Sequence, residues 1–339
     1  MTKQPVNHDI IAIGASAGGV EALQTLVSGL PADLTAAVFI VLHIGRSRSE
    51  LAQILDRAGP LPAMPAKSGE RIETGRIYVA VPDRHLLIHD SHVLLRRGPH
   101  ENLSRPAVDP LFRSAACSFG VRVIGVVLSG ALNDGTAGLR AVKRCGGLAV
   151  VQDPADAVMR DMPESALRYV AVDHCVPASA MGPLLARLAA TPVGRTPEIP
   201  ADIRFEAAIA AQELKDMTAK EQQIGKPSPF SCPECGGTLW ELADGNMLRY
   251  RCHVGHAYTA EAMLAAGTDE IDKLLSRLLR SHRDRAEVVR RMAALERELH
   301  HDKEADRLLV RAREYEENAE LMQRLIAHRN GGPPAAGGG

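Results

Sequence analysis

Apolar runs of strand length alternate with helix-like stretches over the first 190 residues. Continuous apolar runs are typical of parallel strands that are buried on both faces. The predicted strands are Asp9–Ile13, Ala36–Leu42, Ile77–Val81, His85–His89, Val93–Leu95, Val121–Leu128, Leu148–Gln152 and Val172–Val176. This order predicts an α/β fold, with a doubly wound, mainly parallel sheet in three αβα layers. The short central strands are expected to form an antiparallel hairpin on it.

The pattern changes after residue 190, which marks the end of the first predicted domain (1–190). Pro192, Pro197 and Pro200 predict a linker over 191–229, with a weakly helical piece around Phe205–Lys220. A Cys/His cluster predicts a small zinc-ribbon-like module over 230–260. Charged, strongly helical sequence follows over 261–330, and the Gly-rich tail 331–339 is expected to be disordered.

Two apolar stripes run through the helical region. The first comprises Ile271, Leu274, Leu278, Val289, Met292, Leu295 and Leu299, and the second Leu308, Leu309, Ala312, Ala319, Met322 and Leu325. Their spacing predicts an antiparallel helical hairpin or coiled coil that docks a partner or forms a dimer. A helical pair packed on its own enzyme is the alternative, and the sequence does not choose between them.

Composition narrows the class of protein. Hydrophobic residues make up 45% of the chain and aromatics only 3%, so the core must consist mainly of aliphatic side chains. A net charge of −1 gives no indication of a nucleic-acid partner or an anionic membrane. No apolar run approaches the ~20 residues of a membrane span, so no membrane insertion is expected. Three isolated cysteines and one cluster do not form a secreted disulfide framework, which favours a cytoplasmic protein.

The segment Gly14-Ala-Ser16-Ala-Gly18 fits a nucleophile elbow, because a buried strand enters it and a helix from Val20 leaves it. Such a turn lifts the Ser16 hydroxyl above the sheet edge. The N–H groups at the start of the helix, at Gly18 and Gly19, are candidates to stabilise an oxyanion. A serine that only caps the helix is one alternative. A dinucleotide-binding turn is disfavoured, since its middle glycine is a serine here and its ribose-binding acid is replaced by His43.

His43 and Asp134 are the candidate base and orienting carboxylate. His43 ends the second apolar run, and Asp134 follows the strand Val121–Leu128, so both are expected at the carboxyl edge of the sheet beside Ser16. A histidine that hydrogen-bonds a loop and an aspartate that caps a turn are the structural alternatives. Asp109 and Asp153 are rival carboxylates.

These motifs in this order resemble the catalytic domain of CheB-type protein-glutamate methylesterases. The resemblance covers residues 8–190 and is carried by the Ser16 turn, the strand ending in His43, Ser129-Gly-Ala-Leu-Asn-Asp-Gly135, Arg105-Pro-Ala-Val-Asp109 and Met162-Pro-Glu-Ser-Ala166. It implies a Ser16–His43–Asp134 triad. It also implies hydrolysis of γ-glutamyl methyl esters on chemoreceptor helices in sensory adaptation, often with deamidation of glutamine.

Three features depart from the family pattern. Ala17 stands where threonine is common, and Ala131 stands where methionine is common, so specificity is expected to differ if these residues line the substrate groove. About nine residues precede the first strand, and we therefore expect no fused receiver domain within this chain. Arg105 is a candidate groove residue that pairs with carboxylates flanking the ester, and a surface salt bridge is its alternative.

The cluster Cys232-x₂-Cys235-x₁₆-Cys252-x₃-His256 has the spacing of a tetrahedral structural zinc site. His253 is an alternative fourth ligand. Four protein ligands leave no open position for chemistry, so no catalytic cofactor is expected. Metal binding would supply much of the folding free energy of so short a segment.

The leading hypothesis is therefore a cytoplasmic esterase that acts on methylated glutamates of chemoreceptor-type helices through an acyl-enzyme. A non-catalytic, esterase-like scaffold that signals through its zinc and helical tail is the alternative from another class. An esterase or amidase for a different substrate is the third possibility.

Overall fold

Seven parallel strands form the central sheet of the computed structural model, which describes residues 6–43, 49–213 and 225–329. The strands of the first 190 residues are β1 Ile10–Ala15, β2 Ala37–Leu42, β3 Ala63–Pro65, β4 Ile77–Val79, β5 His85–His89, β6 His92–Arg96, β7 Val123–Val127, β8 Leu148–Gln152 and β9 His174–Val176. Their order in the sheet is β3-β4-β2-β1-β7-β8-β9, and every pairing is parallel. The strand order reverses at β1, and ligand sites of open α/β sheets lie at such switch points.

Helices cover both faces of this sheet. They are α1 Gly19–Ser28, α2 Leu51–Ala58, α3 Val108–Phe119, α4 Thr136–Arg144, α5 Asp161–Tyr169, α6 Ala178–Ala189 and α7 Ala201–Ala210. One hydrophobic core lies between the sheet and α3, α4 and α5, and the other between the sheet and α1, α2 and α6. Each fully buried aliphatic or Phe side chain contributes about 1.5–3 kcal/mol. The predicted three-layer αβα fold with a mainly parallel sheet is confirmed.

The short central strands divide differently from the prediction. Ile77–Val79 joins the main sheet as the parallel strand β4, whereas β5 and β6 pair antiparallel as a separate two-stranded sheet. This hairpin packs on α3, where the Ser114 hydroxyl accepts a hydrogen bond from the Ile88 amide at 3.1 Å. The hairpin therefore belongs to the outer layer and not to the sheet itself.

A second, antiparallel sheet follows. It comprises β10 Gly225–Ser231, β11 Thr238–Asp244, β12 Met247–Cys252 and β13 Ala257–Thr259, which we call the ribbon. The ribbon and the preceding α/β domain belong to one compact unit, which ends at Met263. The region expected to be a linker, 191–229, contains α7 and the start of β10. Ile203 and Ile209 of α7 are buried, which explains why this segment is ordered. Part of the expected linker, 214–224, lies outside the described residues.

The second compact unit begins at Leu264 and contains most of α8 Ala260–Glu298 and all of α9 Asp302–Arg329. Pairs such as Arg329–Asp272 and Arg297–Asp306 run in opposite order along the two helices, which makes them an antiparallel hairpin. Small residues fill the seam between the helices: Ala286, Ala293, Ala305, Ala312 and Ala319 are buried. The predicted tail 331–339 lies outside the described residues.

The first predicted apolar stripe is largely at the surface of this hairpin. Val289 is buried, but Ile271, Leu274 and Leu278 are each close to half exposed. Alanine side chains let the two helices approach closely, so the larger side chains are displaced from the seam. Among the described helices, none is both long enough and apolar enough to cross a membrane.

Candidate active site

The turn after β1 presents Ser16. Gly18 adopts φ 72°, a left-handed conformation that favours glycine, and α1 begins at the next residue. A Cβ atom on Gly18 would also lie only 2.8 Å from the Ser129 hydroxyl oxygen. The Ser16 amide donates to the Ser129 carbonyl at 2.9 Å, and the Ser129 hydroxyl donates to the Ala17 carbonyl at 2.8 Å. The loop after β7 therefore fixes both sides of the Ser16 turn.

His43 follows β2 directly, and its amide donates to the Ala15 carbonyl at 3.2 Å. Its Nδ1 lies 3.1 Å from Ser16 Oγ, and its Nε2 lies 2.7 Å from Asp134 Oδ2. The His43 side chain is 17% exposed, whereas the Asp134 side chain is 1% exposed. An imidazole so placed can accept the hydroxyl proton at Nδ1 while its Nε2–H donates to the carboxylate.

Asp134 lies in the loop between β7 and α4 and accepts hydrogen bonds on both oxygens. Its donors are Nε2 of His43, Nδ2 of Asn102 and the amides of Val108, Asp109 and Gly135. Burial alone would raise the pKa of Asp134, but the hydrogen bonds and charge of His43, the Val108 amide and Asn102 lower it. Asp134 is therefore held as the charged form beside the imidazole.

Asp109 is a second buried carboxyl group at this site. Its Oδ2 accepts from Asn102 Nδ2 at 3.0 Å, and its Oδ1 accepts from the Gly138 amide at 2.6 Å. Burial and the negative charge of Asp134 raise the pKa of Asp109. His43 contacts Asp134 and not Asp109, so Asp109 is not the carboxylate that orients the imidazole. Asp109 instead contacts the site through its hydrogen bond from Asn102. The other rival, Asp153, caps the loop after β8 by accepting from the Ala155 amide.

Backbone amides near Ser16 are available as oxyanion donors. Within the described part of the chain, the N–H groups of Ala17, Ala131 and the predicted donor Gly18 make no hydrogen bond. Ala17 follows the nucleophile, and Ala131 follows Gly130, whose Cα packs against Ser16. The Gly19 amide, in contrast, donates to the Ser16 carbonyl at 2.9 Å, so it is not free as the sequence had suggested. Preorganised donors of this kind contribute ~10²–10³ in rate each.

A family model described as CheB methylesterase matches residues 11–185, just over half of the chain. The chain belongs to the CheB methylesterase family. The match contains the candidate nucleophile Ser16, His43 and Asp134 and ends within α6.

Members of the CheB methylesterase family with curated names or solved structures agree with this assignment. A putative protein-glutamate methylesterase/protein-glutamine glutaminase of Leptospira interrogans is 40% identical over 185 residues, which are 54% of this chain and 96% of that relative. Protein-glutamate methylesterase/protein-glutamine glutaminase 3 of Myxococcus xanthus is 39% identical over 52% of this chain and 50% of its own length. The crystal structure of the Thermotoga maritima CheB methylesterase catalytic domain superposes with a TM-score of 0.52 at 31% identity, covering 54% of this chain and 100% of that one.

Arg105 does not have the geometry that the sequence suggested for it in this CheB-type domain. Its Nε and Nη2 donate to Asp83 Oδ1 at 2.9 and 2.5 Å, and its Nη1 donates to the Gly98 carbonyl at 2.7 Å. Its side chain is only 10% exposed. The expected pairing with substrate carboxylates is therefore replaced by an internal ion pair that anchors the loop before α3.

Ala17 and Ala131 both lie near Ser16. Ala17 follows the nucleophile and is exposed, whereas Ala131 follows Gly130, which packs against Ser16, and is partly buried. Their expected effect on specificity stays a prediction.

Asn102 and Ser129 are functional candidates that sequence reasoning missed. Asn102 lies in an irregular loop with φ 48°, where neither periodicity nor strand order indicates a role. Ser129 lies in the loop that contains Asp134, two residues after the end of β7, and this position next to a core strand could have indicated its role. Both act through other residues of the site.

The ribbon brings Cys232, Cys235, Cys252 and His256 together, with their ligand atoms all within 4.8 Å of one another. His256, and not the alternative His253, is the histidine of this group among the described residues. His253 is exposed, and its ring lies against Gly237.

Proposed function

We propose that this chain is a protein-glutamate methylesterase that hydrolyses γ-glutamyl methyl esters on the helices of chemoreceptor-type proteins. The observation that carries the proposal is the unbroken hydrogen-bond chain from Ser16 Oγ through His43 to Asp134, with distances of 3.1 and 2.7 Å. Membership of the CheB methylesterase family and the names of its curated relatives support the substrate class.

In the first half of the reaction, Ser16 Oγ attacks the ester carbonyl and its proton passes to His43 Nδ1. The carbonyl oxygen becomes an oxyanion, which the amides of Ala17 and Ala131 can stabilise. The C–O bond to the methoxy group then breaks, and His43 returns the proton to it, so methanol leaves. Asp134 stays ionised throughout and stabilises the imidazolium through Nε2.

In the second half, His43 takes a proton from water, and the resulting hydroxide attacks the acyl group on Ser16. Collapse of this intermediate returns the proton to Ser16 Oγ and releases the glutamate side chain. A glutamine side chain would follow the same route with ammonia as the leaving group, in keeping with the glutaminase names of the relatives.

The partners and location belong to the same proposal. Exposed apolar side chains on α8 and α9, such as Leu274, Leu295 and Leu325, support docking of a sensory protein or a methyltransferase on the C-terminal helices. None of the six cysteines forms a disulfide, which suits a cytoplasmic site of action.

Methanol release from methylated chemoreceptor fragments tests the proposal. Wild type is expected to release methanol, and Ser16→Ala is expected to reduce the rate by at least ~10³-fold. Ser28→Ala, at the exposed end of the same helix, is the matched control and should match wild type. Equal release by wild type and Ser16→Ala would contradict the proposal. A wild-type chain that releases no methanol from any receptor, but binds sensory proteins, would favour the scaffold alternative.

A further inference from the structure

The four ligand atoms in the ribbon lie within 4.8 Å of one another, and three of their separations match the edges of a tetrahedral metal site. Cys232 Sγ and Cys252 Sγ lie 3.6 and 3.5 Å from His256 Nδ1, and Cys235 Sγ lies 3.6 Å from Cys252 Sγ. Zinc bonds of about 2.3 Å to sulfur and about 2.0 Å to nitrogen give tetrahedral edges of about 3.5–3.8 Å. Three thiolates and one imidazole at these separations are the donor set of a closed structural zinc site.

A supporting shell surrounds the histidine ligand. Glu234 Oε2 lies 3.4 Å from His256 Nε2, the nitrogen that faces away from the thiols. Glu234 also accepts from the Tyr258 hydroxyl at 2.9 Å and lies 2.5 Å from His100 Nδ1. A carboxylate behind a ligating imidazole fixes the ring and its tautomer, as is usual at zinc sites. His100 belongs to the esterase domain, so its hydrogen bond with Glu234 connects the ribbon to that domain.

The ribbon has a small hydrophobic core. Its hydrophobic cluster consists of Cys232, Leu239, Tyr250, Cys252, Tyr258 and Ala262. Two of these residues are the proposed ligands themselves. A sheet with so small a core needs an additional source of stability, and a structural metal ion is a common one.

The strand that follows the histidine ligand reaches the catalytic carboxylate through one side chain. β13 begins directly after His256, and its Ala257 carbonyl accepts from the Asn102 amide at 2.8 Å. The Thr259 amide donates to Asn102 Oδ1 at 3.1 Å. Asn102 Nδ2 in turn donates to Asp134 Oδ1 at 3.0 Å.

The Thr259 amide holds one end of the Asn102 amide group, and the carboxylates of Asp134 and Asp109 hold the other. With Oδ1 held by a backbone donor, Nδ2 faces Asp134. Without that donor Oδ1 would lose its partner, and the Asn102 side chain would be held less firmly beside Asp134. A second contact, from the Thr259 hydroxyl to Asn133 Oδ1 at 2.5 Å, holds β13 against the residue before Asp134.

We propose that Cys232, Cys235, Cys252 and His256 bind one structural zinc ion, and that this ion holds β13 so that Asn102 positions Asp134. Asn102 is a positioning residue, because it acts on the imidazole only through the carboxylate. The catalytic part of this inference rests on the proposed function, whereas the metal part does not.

The metal part is tested by zinc content of the full chain, purified without chelators and with zinc supplied during expression. Wild type should hold one zinc per chain, and Cys232→Ser and Cys252→Ser should hold none. Cys175→Ser, at an exposed thiol outside the ribbon, and His253→Ala, beside the cluster, should each keep one zinc. Glu234→Gln keeps all four ligands and should weaken zinc affinity by about 10–100-fold. A wild-type chain without stoichiometric zinc overturns the proposal, and so does full zinc retention in Cys252→Ser.

The positioning part is tested on wild type, so that no variant has to fold without metal. Removal of zinc by a chelator should speed hydrogen–deuterium exchange in residues 100–104 and 257–259, while β7 and β8 stay protected. Unchanged exchange in residues 100–104 after zinc loss overturns the link to Asn102, whether or not the chain releases methanol. This measurement therefore separates failure of the inference from failure of the proposed function.

Kinetics complete the test. Asn102→Ala should keep its zinc and lower kcat for methanol release by about 10–100-fold, with KM unchanged, because substrate contacts are intact. Zinc removal should lower kcat by a similar factor in wild type but by less than twofold in Asn102→Ala, because both changes act on the same contact. Independent, multiplying effects would show that zinc does not act through Asn102.

Discussion

Gly130 packs against Ser16 so closely that a Cβ atom on Gly130 would lie 2.8 Å from the Ser16 Cβ. The same atom would overlap Met162, which is fully buried. The loop that contains Asp134 can therefore approach the nucleophile only with glycine at this position.

Gly130→Ala is expected to displace this loop and with it the Ala131 amide. A shift of about 1 Å at a catalytic group costs on the order of 10²-fold in rate, so kcat for methanol release should fall by about that factor. Gly194→Ala is the matched control, because a Cβ there meets nothing within 4 Å. Normal kcat in Gly130→Ala would show that the loop can adapt.

Asp134→Asn is expected to disable the imidazole while leaving the fold largely intact. The asparagine cannot stabilise the imidazolium and can present an N–H to His43 Nε2, which selects the wrong tautomer. kcat should fall by about 10⁴-fold. Asp153→Asn, at the rival carboxylate that caps a loop, should stay within a few-fold of wild type in the same methanol assay. A small effect at Asp134 would mean that another carboxylate orients His43.

Arg105→Ala should lower activity equally on receptor esters flanked by carboxylates and on neutral esters. The guanidinium already pairs with Asp83, so its loss loosens the loop before α3 and removes no substrate contact. The measurement is kcat/KM on matched charged and neutral peptide esters. A selective loss on the charged esters would restore the role predicted from the sequence.

Glu206→Gln tests the charge network between α7 and the ribbon. Glu206 Oε2 lies 2.6 Å from a guanidinium nitrogen of both Arg249 and Arg251, and removing its charge leaves these buried cations undercompensated. The free energy of unfolding should fall by about 3–5 kcal/mol at neutral pH. Glu198→Gln, in an exposed pair with Arg204, is the control and should change it by about 0–1 kcal/mol.

The Glu206 effect should depend on pH in a defined direction. Although burial opposes it, Arg249, Arg113 and Arg251 hold the pKa of Glu206 well below its ordinary value of 4.5. The stabilisation is therefore fully present above pH 4.5 and is lost as pH falls further. Urea unfolding of wild type and Glu206→Gln should show a constant gap above that pH and a narrowing gap below it. A gap that widens towards low pH would contradict this assignment.

The positions of Ser16, His43 and Asp134 could be predicted because each follows a strand of continuous apolar residues. The carboxyl ends of parallel strands lie at one edge of the sheet. Because β2, β1 and β7 are neighbours, the residues that follow them come close together at that edge. Asn102 could not be predicted in this way. It belongs to a loop without periodicity, and its partner Thr259 lies more than 150 residues away.

The helical region shows a second limit of pattern reasoning. Heptad spacing identifies Ile271, Leu274 and Leu278 as an apolar stripe, but alanines occupy the seam between the two helices. Periodicity identifies an apolar face, but it does not say whether that face meets the neighbouring helix or remains at the surface. Side-chain volume decided this here, because small residues allow the closer approach.

Glu101 of the esterase domain is 1% exposed and pairs with Arg113 of the same domain and with Arg251 of the ribbon. The match to the family model ends at residue 185, whereas this charge network extends to Arg251. Separating the chain at that point would expose Glu101 to water and deprive Arg251 of one of its two carboxylate partners. Exchange of either part for a homologous one would therefore require a matching charge on the other side of this buried contact.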